Sequence, residues 1–309
     1  MVVLPMVDQT DLAMLSRAGP ELRALVVASG LPRAGADSGL ELRNFVGSVA
    51  RLAWAGAHGG PLDAGGKWGA CARAARGGHL EVLQWARAHG RPWDATVCEL
   101  AARHGHLDVL KWARQHDCPW DDDTCLQAAE GGHLHVVVWA RAHGCEWDDS
   151  LVCDYAAQGG SLEVLQWARE QGCPWRESTC SRAARGGHLE VLQWARAHGC
   201  PWDGGVCSSA ARHGHLEVLQ WARQHGCEWN ETTCGRAARG GHLEVLRWAR
   251  EHDCPWDART IRAAQRSGCA ETIQYVSANG CPSEFIRHPD AYNGDFSSGS
   301  DNEFEIDND

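Results

Sequence analysis

The sequence predicts an all-α solenoid in which short helix–turn–helix units stack side by side. Tryptophan recurs every 27 residues, with one step of 28, through seven closely matching copies. Each copy contains two short helix-forming segments; Gly follows the first in every copy, and Gly or Asp follows the second. Apolar residues cover most of the circumference of the second segment, so it must lie between neighbours. No unit of this length can bury that surface alone, and the units therefore have to stack.

Two tryptophan columns define the copies. The first contains Trp85, Trp112, Trp139, Trp167, Trp194, Trp221 and Trp248, and the second contains Trp93, Trp120, Trp147, Trp175, Trp202, Trp229 and Trp256. The extra residue of the 28-residue step falls between Trp147 and Cys153, where we expect a longer loop. A degenerate copy precedes the seven, and a ninth follows with Tyr275 at the first Trp position. Atypical end copies are typical of solenoids, whose outer faces must be polar.

The copy at residues 121–147 illustrates the predicted elements. Residues 121–124 supply N-cap chemistry, a first helix follows over about residues 125–130, and Gly131 ends it. The second helix is expected over about residues 134–143, before Gly144. In the first helix, the small Ala128 and Ala129 permit close approach of a neighbouring helix.

The segment Ala-Ala-Arg-His-Gly-His-Leu-Asp-Val-Leu at residues 101–110, nearly repeated at 210–219, resembles the core of the ankyrin repeat. The resemblance covers roughly residues 40–283. The ankyrin period is about 33 residues, so this shorter unit lacks six residues of the projecting β-hairpin, and we expect short turns. Thr-Cys or a similar pair also replaces the Thr-Pro-Leu-His opening of that family. Another α-solenoid of helix pairs is the alternative fold. The resemblance implies a non-catalytic scaffold that binds a protein through a concave face of turns and first helices.

Three segments are predicted: an N-terminal helical cap or F-box-like segment at residues 1–36, the solenoid at 37–283, and an acidic disordered tail at 284–309. Residues 289–309 carry seven of the acidic residues and no Lys or Arg, so a net charge of −11 leaves −4 for the rest. Because the body is nearly neutral, we expect no nucleic-acid partner. There is no apolar stretch of membrane-spanning length and no signal-peptide pattern. We therefore expect an intracellular monomer, cytoplasmic or nuclear, with no membrane association and with its cysteines as thiols.

The N-terminal segment supports a second functional hypothesis. Residues 11–26 resemble the second half of an F-box motif, in a shorter form. A working F-box would imply a substrate-recruiting adaptor of a ubiquitin ligase. A helix that caps the first repeat is the alternative interpretation.

Cys and His recur twice per copy, which raises the question of a metal site. No Cys-x-x-Cys pair is present, and equivalent positions of adjacent helices lie about 8–10 Å apart, too far to share a metal. In the fourth copy, Ser161 and Gln171 replace both histidines. We interpret the cysteines as small buried residues. We expect the histidine that follows Gly, for example His106, to bond the backbone, and the later histidine, for example His116, to lie at the C-terminus of the second helix. No metal, cofactor or catalytic residue is predicted, because no copy holds a unique nucleophile and base.

The candidate partner-binding residues lie where the copies differ. The first set lies two positions after the Cys in the first helix of each copy, here called the leading Cys (for example Cys98), and contains Leu100, Gln127, Tyr155, Arg182 and Arg236. The second set directly follows the Ala-Ala pair and contains Arg76, Arg103, Arg185, Arg212 and Arg239. Glu130 and Gln158 interrupt the second set. Arg can form two parallel hydrogen bonds to one carboxylate. The second set, which forms a stripe of Arg along the stack, therefore predicts a groove for an acidic peptide or protein surface. A solvated charged edge, Arg paired with neighbouring Asp, and drift between copies are the alternatives.

Overall fold

The computed structural model describes residues 69–146 and 148–282. Within these ranges the chain forms sixteen helices and no strand, which confirms the all-α solenoid with short turns. No helix in the described ranges has the length and apolar content needed to cross a membrane. The F-box-like segment and the acidic tail lie outside the described residues.

The helices alternate between a first and a second helix of each unit. The first helices are α1 (Ala70–Arg76), α3 (Ala95–Arg103), α5 (Asp122–Glu130), α7 (Asp149–Gly159), α9 (Glu177–Gly186), α11 (Gly205–Arg212), α13 (Glu231–Arg239) and α15 (Ala258–Ser267). The second helices are α2 (Leu80–Ala88), α4 (Leu107–Gln115), α6 (Leu134–Ala142), α8 (Leu162–Glu170), α10 (Leu189–Ala197), α12 (Leu216–Gln224), α14 (Leu243–Glu251) and α16 (Ala270–Ala278).

The first helices begin earlier than the repeat pattern indicated. Helix α5 starts at Asp122 and not near residue 125, because Asp121 is an extended N-cap and two acidic residues in the first turn face the positive end of the helix dipole. Helix α7 takes up the extra residue of the 28-residue step. Its N-cap, Asp148, accepts a hydrogen bond from the backbone N–H of Ser150, and the helix is eleven residues long. The expectation of a longer loop there was wrong, because lengthening the helix keeps the turn unchanged.

The two layers of helices pack differently. Each first helix packs closely on the first helix of the next unit, whereas successive second helices make few backbone contacts. The Ala-Ala pairs of the units through α13 are completely buried, as at Ala183 and Ala184, and their small size permits this approach. The second helices contribute Val and Leu to the same core, for example Val191 and Leu192. The core is thus continuous along the stack.

Half-buried tryptophans line the boundary between second helices. Trp202 of one unit meets Trp221 of the next edge to face, with ring centroids 5.8 Å apart. Arg196 lies 4.2 Å over the Trp202 ring, and His225 stacks on Trp221 at 4.1 Å while donating through Nδ1 to the Trp221 carbonyl at 2.8 Å. Other units repeat this arrangement. The tryptophans therefore pack against the core, and the later histidines occupy helix C-termini as predicted.

The Gly-His histidines connect adjacent units. Nε2 of His106, His188 and His215 donates to the carbonyl of Arg76, Gln158 and Arg185, respectively, at 3.1, 3.0 and 2.9 Å. These bonds satisfy carbonyls at the ends of first helices that have no partner within the helix. The predicted backbone role of these histidines is confirmed, and the acceptor is the preceding unit.

Candidate partner-binding face

The ten predicted partner-binding residues lie in the C-terminal halves of seven consecutive first helices, from α1 to α13. We call the surface formed by these variable positions the first-helix face. The first helices that carry this face pack more extensively on one another than the second helices do. The N-terminal part of this face contains arginines in ion pairs with carboxylates, and its C-terminal part contains a cluster of arginines around one pocket.

In the N-terminal part, Arg103 is held by its neighbours. Its two terminal nitrogens donate to both carboxylate oxygens of Glu130 at 3.0 and 3.1 Å, and Nη1 also donates to Gln127 at 2.7 Å. Glu130 in turn accepts from Gln158 at 3.2 Å. Arg103 and Gln127 are therefore engaged within the chain, and the acidic partner of Arg103 is Glu130 of the next unit and not an Asp.

A buried carboxylate holds the next part of the face. Asp154 is 1% exposed and accepts from the hydroxyls of Ser178 at 2.5 Å and Thr179 at 2.6 Å. Arg182 approaches Asp154 to 3.5 Å, donates to Gln158 at 2.8 Å and lies over the ring of Tyr155 at 5.2 Å. Arg182 and Tyr155 thus join α7 to α9.

Leu100 is not a surface residue. Its side chain is 7% exposed and belongs to the apolar core. The position that carries Gln127 and Tyr155 in later units is therefore closed to solvent in α3. We withdraw Leu100 from the candidate surface.

The C-terminal part brings three of the predicted arginines together. They line a pocket of ≈ 90 Å³ that spans α9, α11 and α13 and is formed by Arg185, Ser208, Ser209, Arg212, His213 and Arg236. None of these lining residues is acidic. Among the ion pairs found in the described part of the chain, none involves Arg185 or Arg236. The pocket is therefore a concentration of positive charge.

The pKa of His213 reflects the positive charge of this pocket. Its Nδ1 donates to the Ser209 carbonyl at 3.0 Å, which leaves Nε2 as the other ring nitrogen. Burial lowers the pKa of His213, and the nearby guanidiniums of Arg185 and Arg212 lower it further. The imidazole is consequently neutral at neutral pH, since the pocket already holds cations.

The two remaining arginines, Arg76 and Arg239, are exposed. Arg76 ends α1, at the N-terminal end of the described stack, and its carbonyl accepts from His106. Arg239 ends α13, the helix that also supplies Arg236 to the pocket. Arg239 therefore extends the basic part of the face by one turn of helix beyond the pocket.

Near the other end of the face, acidic residues gather around Glu99. Burial, together with the negative charges of Asp121, Asp123 and Asp94, raises the pKa of Glu99 to about 7. The face is thus acidic near α3 and α5 and basic from α9 to α13.

The cysteines form pairs that the sequence reasoning missed. In six units the leading Cys and the turn Cys twenty positions later contact each other: Cys98 and Cys118, Cys125 and Cys145, Cys153 and Cys173, Cys180 and Cys200, Cys207 and Cys227, Cys234 and Cys254. The hydrogen bond between the two thiols, with burial, raises the pKa of each leading Cys. The constant separation of twenty residues between the two Cys columns is the sequence signal for these pairs.

The turn cysteines also close each unit. The Cys227 thiol donates to the Asp203 carbonyl at 3.2 Å, and the Cys145 thiol donates to the Asp121 carbonyl at the same distance. These carbonyls lie at the start of the first helix, so the bond joins the two ends of a unit. Within the described residues, no cluster of three or more His, Cys, Asp or Glu side chains has the arrangement of a metal site. The paired thiols are buried, and turn thiols such as those of Cys145 and Cys227 donate to backbone carbonyls.

Stacked helix pairs that share one continuous core and expose a variable first-helix face define a solenoid repeat protein. A family model described as ankyrin repeats, many copies, matches residues 70–114 and 207–260. These two stretches of the chain therefore contain ankyrin repeats. Among solved structures, the human ASB11 ankyrin repeat domain is 18% identical, with a TM-score of 0.41, and the match covers 51% of this chain and 84% of that one. No curated protein sequence matches this chain.

Proposed function

We propose that this protein is a non-catalytic scaffold that binds an acidic segment of another protein on its first-helix face. Ankyrin repeats are typically protein-interaction modules. The observation that carries the proposal is that Arg185, Arg212 and Arg236 line one pocket of this face, with no acidic residue in its lining. Clustered guanidiniums bind carboxylates and phosphates through charge-assisted, bidentate hydrogen bonds.

The residues proposed to contact the partner are accordingly those of the basic part: Arg185, Arg212, Arg236 and Arg239. Arg76 stays a prediction at the opposite end, and Gln127, Tyr155, Arg103 and Arg182 act by holding the first helices in register. Because each unit contacts only its neighbours, the face is an extended surface suited to an extended partner segment. We propose an intracellular location, cytoplasmic or nuclear, and a monomeric chain.

The test compares two charge reversals in one unit. Arg239→Glu alters the first-helix face, and Arg247→Glu makes the same charge change at an exposed position of α14 in the second layer. Wild-type and variant full-length chains are used as bait in cell extract, with quantitative mass spectrometry. We expect proteins that are depleted from Arg239→Glu and retained by Arg247→Glu. Equal recovery by both variants would refute binding on this face.

The ubiquitin-ligase adaptor hypothesis stays a prediction that rests on residues 1–36. The same experiment addresses it when a chain starting at Leu40 is added. Recovery of ligase core subunits by the full chain alone would favour the adaptor over a plain scaffold.

A further inference from the structure

The thiol pair formed by Cys125 and Cys145 differs from the other five pairs in its packing. The ten other paired cysteines belong to the continuous core, whereas Cys125 and Cys145 pack with Ala140 in a small apolar cluster beside it, against Trp120 and Trp139. Cys145 is 5% exposed, while the turn cysteines of the other five pairs are at most 1% exposed. Of the six pairs in the described residues, this one is therefore the easiest for a small solute to reach when a turn opens locally.

The two sulfur atoms of this pair are held against each other. The Cys125 thiol donates a hydrogen bond to the Cys145 sulfur, and the Cys145 thiol donates to the Asp121 carbonyl at 3.2 Å. The backbone N–H of Cys145 donates to the Ala140 carbonyl at 3.0 Å, which fixes the turn that carries the sulfur. Because the sulfurs already touch, an S–S bond of about 2.05 Å requires a short approach of two side chains and no new path for the backbone.

The hydrogen bond between the thiols gives them different roles. The bond from Cys125 lowers the pKa of Cys145, and the same bond together with burial raises the pKa of Cys125. The thiolate is the nucleophilic form of cysteine. Cys145 is therefore the sulfur that attacks first, and Cys125 keeps its proton until a second step.

We propose that Cys125 and Cys145 form an oxidation site, at which hydrogen peroxide converts the two thiols into a disulfide within one repeat. The Cys145 thiolate attacks one peroxide oxygen, the O–O bond breaks, and the products are a Cys145 sulfenic acid and a hydroxide, which takes up the proton that Cys145 lost and becomes water. The Cys125 sulfur then attacks the sulfenic sulfur, the S–O bond breaks, and the hydroxyl leaves with the Cys125 proton as a second water. The two thiols lose two electrons, which reduce one peroxide.

The disulfide joins the two ends of one unit. It closes a loop of twenty residues, from α5 to the turn after α6. Helix α5 also supplies Gln127 and Glu130, both of which bind Arg103 of the preceding unit. Oxidation therefore fixes the unit on which the N-terminal part of the first-helix face depends. A disulfide that forms and is reduced again suits a reducing compartment, where such bonds are transient and redox-sensing.

The experiment treats the folded full-length chain with hydrogen peroxide for increasing times. Free thiols are then blocked with N-ethylmaleimide in urea, and cross-linked peptides are identified by mass spectrometry without reduction. Cleavage after Arg and before Asp separates Cys125 and Cys145 from the neighbouring Cys118 and Cys153. We expect the Cys125–Cys145 disulfide to form at least tenfold faster than a disulfide at any of the five core pairs, and dithiothreitol to reverse it. Equal rates, or irreversible sulfinic acid at Cys145 in place of a cross-link, would overturn the proposal.

Two matched variants test whether the effect on the fold depends on this pair. Cys125→Ala removes its leading thiol, and Cys207→Ala makes the same change in a pair of the continuous core. A closed loop restricts the unfolded chain, so brief peroxide treatment should raise the urea midpoint of wild type and of Cys207→Ala and leave that of Cys125→Ala unchanged. Each variant is compared with its own reduced form, so that a stability change caused by the substitution itself does not enter. Equal responses of the two variants would contradict the assignment.

Discussion

Thr179 and Thr233 occupy the same repeat position, directly before the leading Cys, and both are completely buried. The Thr179 hydroxyl donates to the carboxylate of Asp154 at 2.6 Å. The Thr233 hydroxyl, by contrast, has no hydrogen-bond partner within the described residues. Other units place Val at this position, for example Val206 before Cys207, so the site accepts the valine shape.

The same Thr→Val substitution should therefore change stability in opposite directions at the two sites. A buried hydroxyl without a partner costs about 1–3 kcal/mol by mutational data, so Thr233→Val should increase the free energy of unfolding by about 1 kcal/mol. A hydrogen bond to a charged group contributes about 1.5–3 kcal/mol. Since Asp154 keeps Ser178 and two arginines within reach, Thr179→Val should lower the free energy of unfolding by about 2 kcal/mol.

The assay is urea unfolding of the full chain, followed by tryptophan fluorescence. Thr124→Val serves as a replicate, because that buried hydroxyl also lacks a partner in the part of the chain that the structure describes. A stability difference of about 3 kcal/mol between the two principal variants follows from the two estimates. A loss of stability in both variants would show that the Thr233 hydroxyl is bonded after all and would refute the reasoning.

Two further predictions follow from close contacts. Glu99→Gln should stabilise the chain at pH 8 by about 1 kcal/mol and leave its stability unchanged near pH 4.5. Because the folded pKa of Glu99 is about 7, the wild-type chain loses stability as the pH rises from the unfolded pKa to 7; the expected gain is smaller than the full linkage value since the side chain is only half-buried. A stability difference between the two urea curves that does not change with pH would contradict this prediction. Gly159→Ala should cost about 3 kcal/mol, since a Cβ there would lie 1.7 Å from the backbone oxygen of Glu130. Gly144→Ala meets no atom within 4 Å and should cost only the left-handed backbone strain of about 1 kcal/mol; equal thermal shifts for the two glycine variants would argue against the close packing of α5 on α7.

The fold could be predicted because the period is explicit in the sequence, and a two-helix unit of 27 residues leaves few alternatives. The site could be predicted only in part. The columns identified the arginines, but whether an arginine is engaged depends on the residue that the next unit places beside it. Leu100 is not on the surface because variability does not imply exposure: the same position is half-buried in later units, and the apolar Leu100 side chain packs into the core. The buried role of Asp154 depends on Thr179 in the following unit, which inspection of one unit alone does not show.

The difference in packing between the two layers has a mechanical consequence. The Ala-Ala layer is close-packed and resists compression, whereas the tryptophans and arginines of the second layer are partly exposed and meet through edge contacts. When the stack flexes, the second layer therefore takes up the strain, and the spacing of the first helices changes little. Arg185, Arg212 and Arg236 lie on these first helices. Their mutual spacing should stay nearly constant while the curvature of the whole array adapts to the length of its partner.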